Sequence, residues 1–160
     1  MLRNLLLLFA LVSTSMAAAG PARPDFTGNW QFDPAKSSTN TDWAAENTLV
    51  ISQSGDRLYM TRLAGDAELW KGAYITDGKS RPLYKTANEE TFITARWLKK
   101  ELLVTVEHSM RGEIADSSMK DEDHWMLADA GQTLIHKTSD GKTLVFRKTP
   151  TEKSNSGTTH

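Results

Sequence analysis

The residues able to do chemistry are scattered along this chain. Histidines stand at 108, 124, 136 and 160, and no two are spaced as H-x-x-x-H or H-x-H, the patterns that aim two imidazoles at one zinc ion. Carboxylates cluster at Glu89-Glu90 and at Asp121-Glu122-Asp123. Adjacent residues on a strand point to opposite faces, so these runs make poor acid and base pairs and read as solvated hairpin ends. No serine sits in a G-x-S-x-G elbow, and no G-x-x-x-x-G-K-[ST] loop is present to cradle phosphate. The sequence predicts neither a metal site nor a cofactor, and any site must be assembled by the fold from distant residues.

The elements that would assemble it follow a β pattern. Short alternating runs recur between turn residues: "FTGNWQF" puts Phe26, Gly28, Trp30 and Phe32 on one face, and "RLYMTRL" sets Leu58 and Met60 opposite Tyr59 and Thr61. "ELWKGAYIT" aligns Trp70, Gly72 and Tyr74. "SRPLYKT" carries Pro82, which cannot donate to a ladder, so that strand is expected to be short or at an edge. "ETFITARW" and "ELLVTVEH", joined by "LKKE", form the strongest hairpin, with Ile93, Ala95 and Trp97 matched to Leu102, Val104, Val106 and His108. "DAGQ" and "SDGK" separate the last three strands, and "TDGK" at 76 to 79 repeats the Asp-Gly signal of a tight hairpin. Between the first two strands, "DPAKSSTNTDWAAE" is a polar connection in which 41 to 46 could form one or two helical turns, capped by Thr41 or Asp42.

The chain opens with Arg3, an apolar run from Leu5 to Val12 and small residues ending at Ala19, the three parts of a secretory signal peptide over 1–19. Its apolar part is too short to span a membrane, and no cysteine follows it to carry a lipid. The chain has no cysteine anywhere, so an exported domain of roughly 140 residues has to be held by packing and hydrogen bonds alone. The 160 residues carry 19 Lys and Arg against 20 Asp and Glu, a formal charge of −1 spread along the chain, with no clustered basic face for a nucleic acid. One domain is expected over 24–149, followed by a polar, aperiodic tail over 150–160 that reads as disordered.

An open sheet of so many strands would leave an apolar face and two edges bare. Curling into a barrel encloses the face and removes the edges. The expected fold is therefore all-β: a single up-and-down antiparallel barrel of eight to ten strands with one short helical turn. The "GNW" of the first strand resembles the G-x-W signature of lipocalins and other calycins, and the chain from about Pro24 to Thr149 resembles the secreted lipocalin-like domains of environmental bacteria. That resemblance implies a structural role for Gly28, for Trp30 as the plug of one barrel end, and for a basic residue of the last strand, Arg147, packed across its ring. Strict alternation sets Arg147 on the face opposite Leu144 and Phe146, so it would have to reach round the rim.

A barrel this small can be filled by side chains or hold one small ligand. If the alternating apolar face points inward, Arg62, Trp70, Tyr74, His108, Trp125 and His136 are the residues expected to line a pocket, with Asp123 of the same parity. The function expected is non-catalytic binding of a small apolar or amphiphilic molecule by a secreted or periplasmic protein. The alternative is a solid module docking on another exported protein or the cell envelope through 33–46 or 109–120. Third comes an enzyme on the same barrel, which would bring a pair such as His108 and Asp123 to hydrogen-bond distance.

Overall fold

The computed structural model describes residues 23–39, 41–112 and 117–150; the signal peptide expected at 1–19 and residues 151–160 of the expected tail lie outside the described residues. The alternating segments form ten strands: β1 (Gly28–Phe32), β2 (Asn47–Ser54), β3 (Arg57–Ala64), β4 (Ala67–Ile75), β5 (Arg81–Lys85), β6 (Glu89–Leu98), β7 (Glu101–Met110), β8 (Ser117–Ala128), β9 (Thr133–Lys137) and β10 (Thr143–Thr149). All belong to one antiparallel sheet in the order β4-β3-β2-β1-β10-β9-β8-β7-β6-β5. The sheet curls into an up-and-down barrel. Strands β1 and β10 pair directly, so the two ends of the domain lie side by side through Trp30 with Lys148 and Phe32 with Phe146.

Closure fails in the middle of the chain rather than at its ends. Strands β4 and β5, consecutive in sequence, are the two edges of the sheet and do not hydrogen-bond to each other. The expectation that the ring would abolish its edges is corrected here. Pro82 supplies part of the reason: β5 has five residues, and its register against β6 shifts between Pro82 and Tyr84. The "TDGK" segment, expected as a tight hairpin turn, only bends at Gly78 and joins two strands that do not pair. It runs across the gap instead, held by a bridge between Asp77 and Arg96 and by the Gly78 N–H donating to the Ala95 carbonyl at 3.0 Å.

The hairpin of β6 and β7 has the expected register, Trp97 with Leu102, Ala95 with Val104, Ile93 with Val106 and Thr91 with His108. Its two-residue tip forces Lys99 to a φ of 58°, a left-handed conformation that a lysine adopts at some cost. No helix forms at 41 to 46. The Thr41 hydroxyl oxygen does accept from the Trp43 N–H at 2.8 Å, but the Trp43 ring then inserts beside Phe32 and Phe146, and this packing holds the segment irregular. The one helical turn among the described residues is a 3-10 turn at Asp129–Gly131, where "DAGQ" was expected to be a plain hairpin turn.

Side chains of one parity fill the interior. Phe26, Trp30, Phe32, Leu49, Ile51, Leu58, Met60, Leu102, Leu134 and Phe146 are almost wholly removed from water and form one cluster, each contributing about 1.5–3 kcal/mol by burial. Trp30 is 0% exposed, and its indole N–H donates to the Phe26 carbonyl at 2.8 Å. The cation over its ring is not Arg147. Arg147 faces outward, 62% exposed, with its Nε 3.2 Å from the buried Asp33 carboxylate, as alternation along β10 requires. Lys148, one residue on, carries its Nζ 5.2 Å from the centre of the Trp30 ring. Gly28 makes room for it: a β-carbon there would sit 2.8 Å from Lys148 Cε, and the φ of 145° is one that side chains disfavour.

Candidate functional site

The six residues expected to line a pocket all fall on the inward-facing parity, but the structure divides them among three places. Trp125 and His136 come together. They are directly paired across β8 and β9, and their rings stack with centroids 3.7 Å apart and planes 8° from parallel. His136 is 8% exposed, and its Nε2 lies 3.2 Å from an Asp123 carboxylate oxygen but off the hydrogen-bonding direction, so neither ring nitrogen has an aligned partner among the described residues. Asp123 also accepts from the Ser139 N–H at 3.0 Å. His136 and Asp123 border a cleft of about 400 Å³ at one mouth of the barrel, roofed by Trp43.

Arg62 stands behind that roof and is committed to the structure. Its guanidinium stacks 4.1 Å from the centre of the Trp43 ring and donates to Asn47 Oδ1 at 2.7 Å and to the Asp42 carboxylate at 2.8 Å. The hydrogen bond from Arg62 holds the Asp42 carboxyl below its ordinary range. Five donors in a rigid fork suit such a clasp, which pins the irregular 41 to 46 segment over the core. Trp70 pairs with Arg62 across β3 and β4 but is 44% exposed, its indole lying over Gly72 where a β-carbon would collide with it.

His108 lies toward the opposite end of β7. Its Nδ1 is 3.1 Å from the Thr91 hydroxyl and its Nε2 is 3.8 Å from Asp121. The pair anticipated for an enzyme, His108 with Asp123, is therefore not formed; each of these histidines has its own aspartate, because Asp121 and Asp123 are two residues apart on one face of β8. His124, of the other parity, pairs outside with Glu101.

Tyr74 marks the third place, the gap between the sheet edges. A slot of about 300 Å³ opens there. One wall carries the outward-facing Arg57, Tyr59, Ala73 and Ile75 of β3 and β4; the other carries the inward-facing Ile93 and Ala95 of β6 with Arg81 and Leu83 of β5. A lining drawn from both faces means that the slot passes through the barrel wall where the edges fail to meet. Tyr74 points inward from its floor, and its phenol is pushed up to about 12, first by burial and then by the charge of Asp123. Both charged groups of the lining are guanidinium groups. Arg81 is held by Asp77 at 2.8 and 2.7 Å, which keeps that carboxyl far below its ordinary range, whereas Arg57 makes no salt bridge among the described residues.

Reading the sequence for a closed ring missed Arg57, Arg81 and Leu83. Pro82 was the available signal, since a strand confined to an edge implies an edge somewhere. A wider cleft, about 550 Å³, lies between the β5–β6 tip and the ends of β7 and β8. It is lined by the hydroxyls of Thr86, Ser109, Ser117 and Ser118 and by the Lys85–Glu90 ion pair, so it has the character of a hydrated hairpin tip. Among the described residues no group of three or more His, Cys, Asp or Glu is placed to hold a metal ion, and no helix is long and apolar enough to cross a membrane. In comparison with known proteins, no family model matches this chain, and no curated protein matches it.

Proposed function

We propose that the protein is an exported, lipocalin-like β-barrel that binds a small apolar or amphiphilic molecule without transforming it. The observation that carries the reading is the slot between β4 and β5: about 300 Å³ of mostly apolar wall, with few polar groups, leading toward the inward-facing Tyr74. Small-molecule sites have this composition and about this size at their lower limit. The half of the barrel around Trp30 is packed solid, so the ligand would be held at the wall rather than in a deep calyx. Export rests on the tripartite signal-peptide pattern at 1–19.

Native mass spectrometry and quenching of tryptophan emission with a panel of alkyl amphiphiles, retinoids and haem test the proposal. Saturable one-to-one binding of at least one compound is the expected result. If none of them binds saturably, the reading fails.

A second reading has one specific observation behind it. Strand β4 is an unpaired edge whose Ala67–Lys71 stretch is exposed throughout, Leu69 and Trp70 included, and such an edge accepts an added strand from a partner. Crosslinking in the native compartment that returned one reproducible protein, attached at β4, would favour it.

A further inference from the structure

We infer that the slot between β4 and β5 selects an amphiphile with an anionic head, held by Arg57 at the outer rim while the apolar tail runs inward along Ile93 and Ala95. The inference rests on the small-molecule reading above and adds the ligand's charge, its orientation and the residue that reads it.

Charge is the first argument. The two ionised side chains of the lining are both cations, and no carboxylate lines the slot. Arg81 is already satisfied by two hydrogen bonds to Asp77, so adding an anion to it gains little. Arg57 is different: at the start of β3 it is exposed and forms no salt bridge among the described residues, its neighbours being the Tyr59 phenol and, more weakly, the charge of Asp56, and its guanidinium offers a planar fork suited to a carboxylate or phosphate.

Orientation follows from the way the two walls differ. Arg57 and Tyr59 belong to the outward face of the sheet and Ile93 and Ala95 to the inward face, so polarity falls along the slot from solvent to interior. At the inner end stand the Tyr74 phenol and, beyond it, the charge of Asp123. An anionic head placed there would meet Ile93, Ala95 and a neutral phenol and no cation, whereas Arg57 stands at the outer rim, so the head stays outside and the tail goes in.

The shared chemistry is an alkyl chain ending in an anionic oxygen head, whether a carboxylate or a phosphate monoester. Binding of decanoate, decyl phosphate, decanol and decyltrimethylammonium to the full mature protein is measured by calorimetry, at low salt and again at raised salt. Both anions are expected to bind about tenfold more tightly than the alcohol, from one charge-assisted contact, and the cation more weakly than the alcohol. Raised salt should shrink the difference. Arg57→Gln should bring the anions down to the alcohol's affinity while leaving the alcohol unchanged. Lys71→Gln removes an equal charge from β4 outside the slot and should leave the preference intact. A preference for either anion alone would identify the natural head and still support the inference. Equal binding of anion and alcohol, or an anion preference that survives Arg57→Gln, overturns it while leaving the small-molecule reading standing. Absence of binding by all four overturns the inference, and the small-molecule reading falls with it only if the retinoids and haem fail to bind as well.

Discussion

Replacing Tyr74 by phenylalanine should change how the protein responds to alkali and little else. The Tyr74 phenol titrates near 12 in the folded chain, against an ordinary value of 10.0, because burial disfavours the phenolate and Asp123 repels it. A group whose value is raised by folding stabilises the fold below its unfolded value and loses that contribution as pH climbs to the folded one. The window is therefore pH 10 to 12. Two units at about 1.36 kcal/mol each set a ceiling of about 2.7 kcal/mol, and about 2 kcal/mol remains after allowing for partial exposure of the ring.

The assay is urea denaturation of wild type and Tyr74→Phe at a series of pH values from neutral to strongly alkaline, with phenolate absorbance followed alongside. Near pH 7 the two should differ by no more than about 1 kcal/mol, the usual worth of one hydroxyl. Between pH 10 and 12 the wild type should lose about 2 kcal/mol more than the variant. Taking the difference between the two proteins removes every other titrating group from the comparison. Parallel curves through that window would refute the claim that Tyr74 is buried against Asp123, and with it the placement of an uncharged inner end to the slot.

The cation over Trp30 is open to a double-mutant cycle. Lys148→Ala combined with Trp30→Phe should show a coupling of about 0.5–1 kcal/mol, and Arg147→Ala with Trp30→Phe a coupling near zero; the reverse ranking would mean that the last strand is turned over. At the tip of the β6–β7 hairpin, Lys99→Gly should raise stability by about 0.5–1 kcal/mol in thermal or denaturant unfolding, since glycine relieves the left-handed strain at the expense of some unfolded-state entropy. A loss of stability there would mean that the turn is not left-handed.

What local periodicity sets was legible in the residues alone. Alternation assigned Phe26, Trp30 and Phe32 to one face, matched Trp97 to Leu102 and Ile93 to Val106, and turned His124 away from Trp125, because a strand's side chains have a period of two wherever it lies. Pro82 marked its strand as short or at an edge, and β5 is both, since a missing N–H is missing in any context. That Asp121 and Asp123 share a face was legible in their spacing as well.

Which distant groups meet depended on how the strands came together. Alternation names a face but not the height along the barrel axis, so it could not separate His108 with Asp121 from His136 with Asp123, nor show that the Trp43 ring, on an irregular segment, would draw Arg62 into a structural clasp. Alternation along β10 already turned Arg147 outward; the pairing of β1 with β10 then decided that Lys148, of the inward parity, stands opposite Trp30. The gap between β4 and β5 is the clearest case. Whether two strand edges meet depends on the accumulated curl of ten strands and the slips at Pro82 and Arg62, a sum over the whole sheet that no local pattern contains.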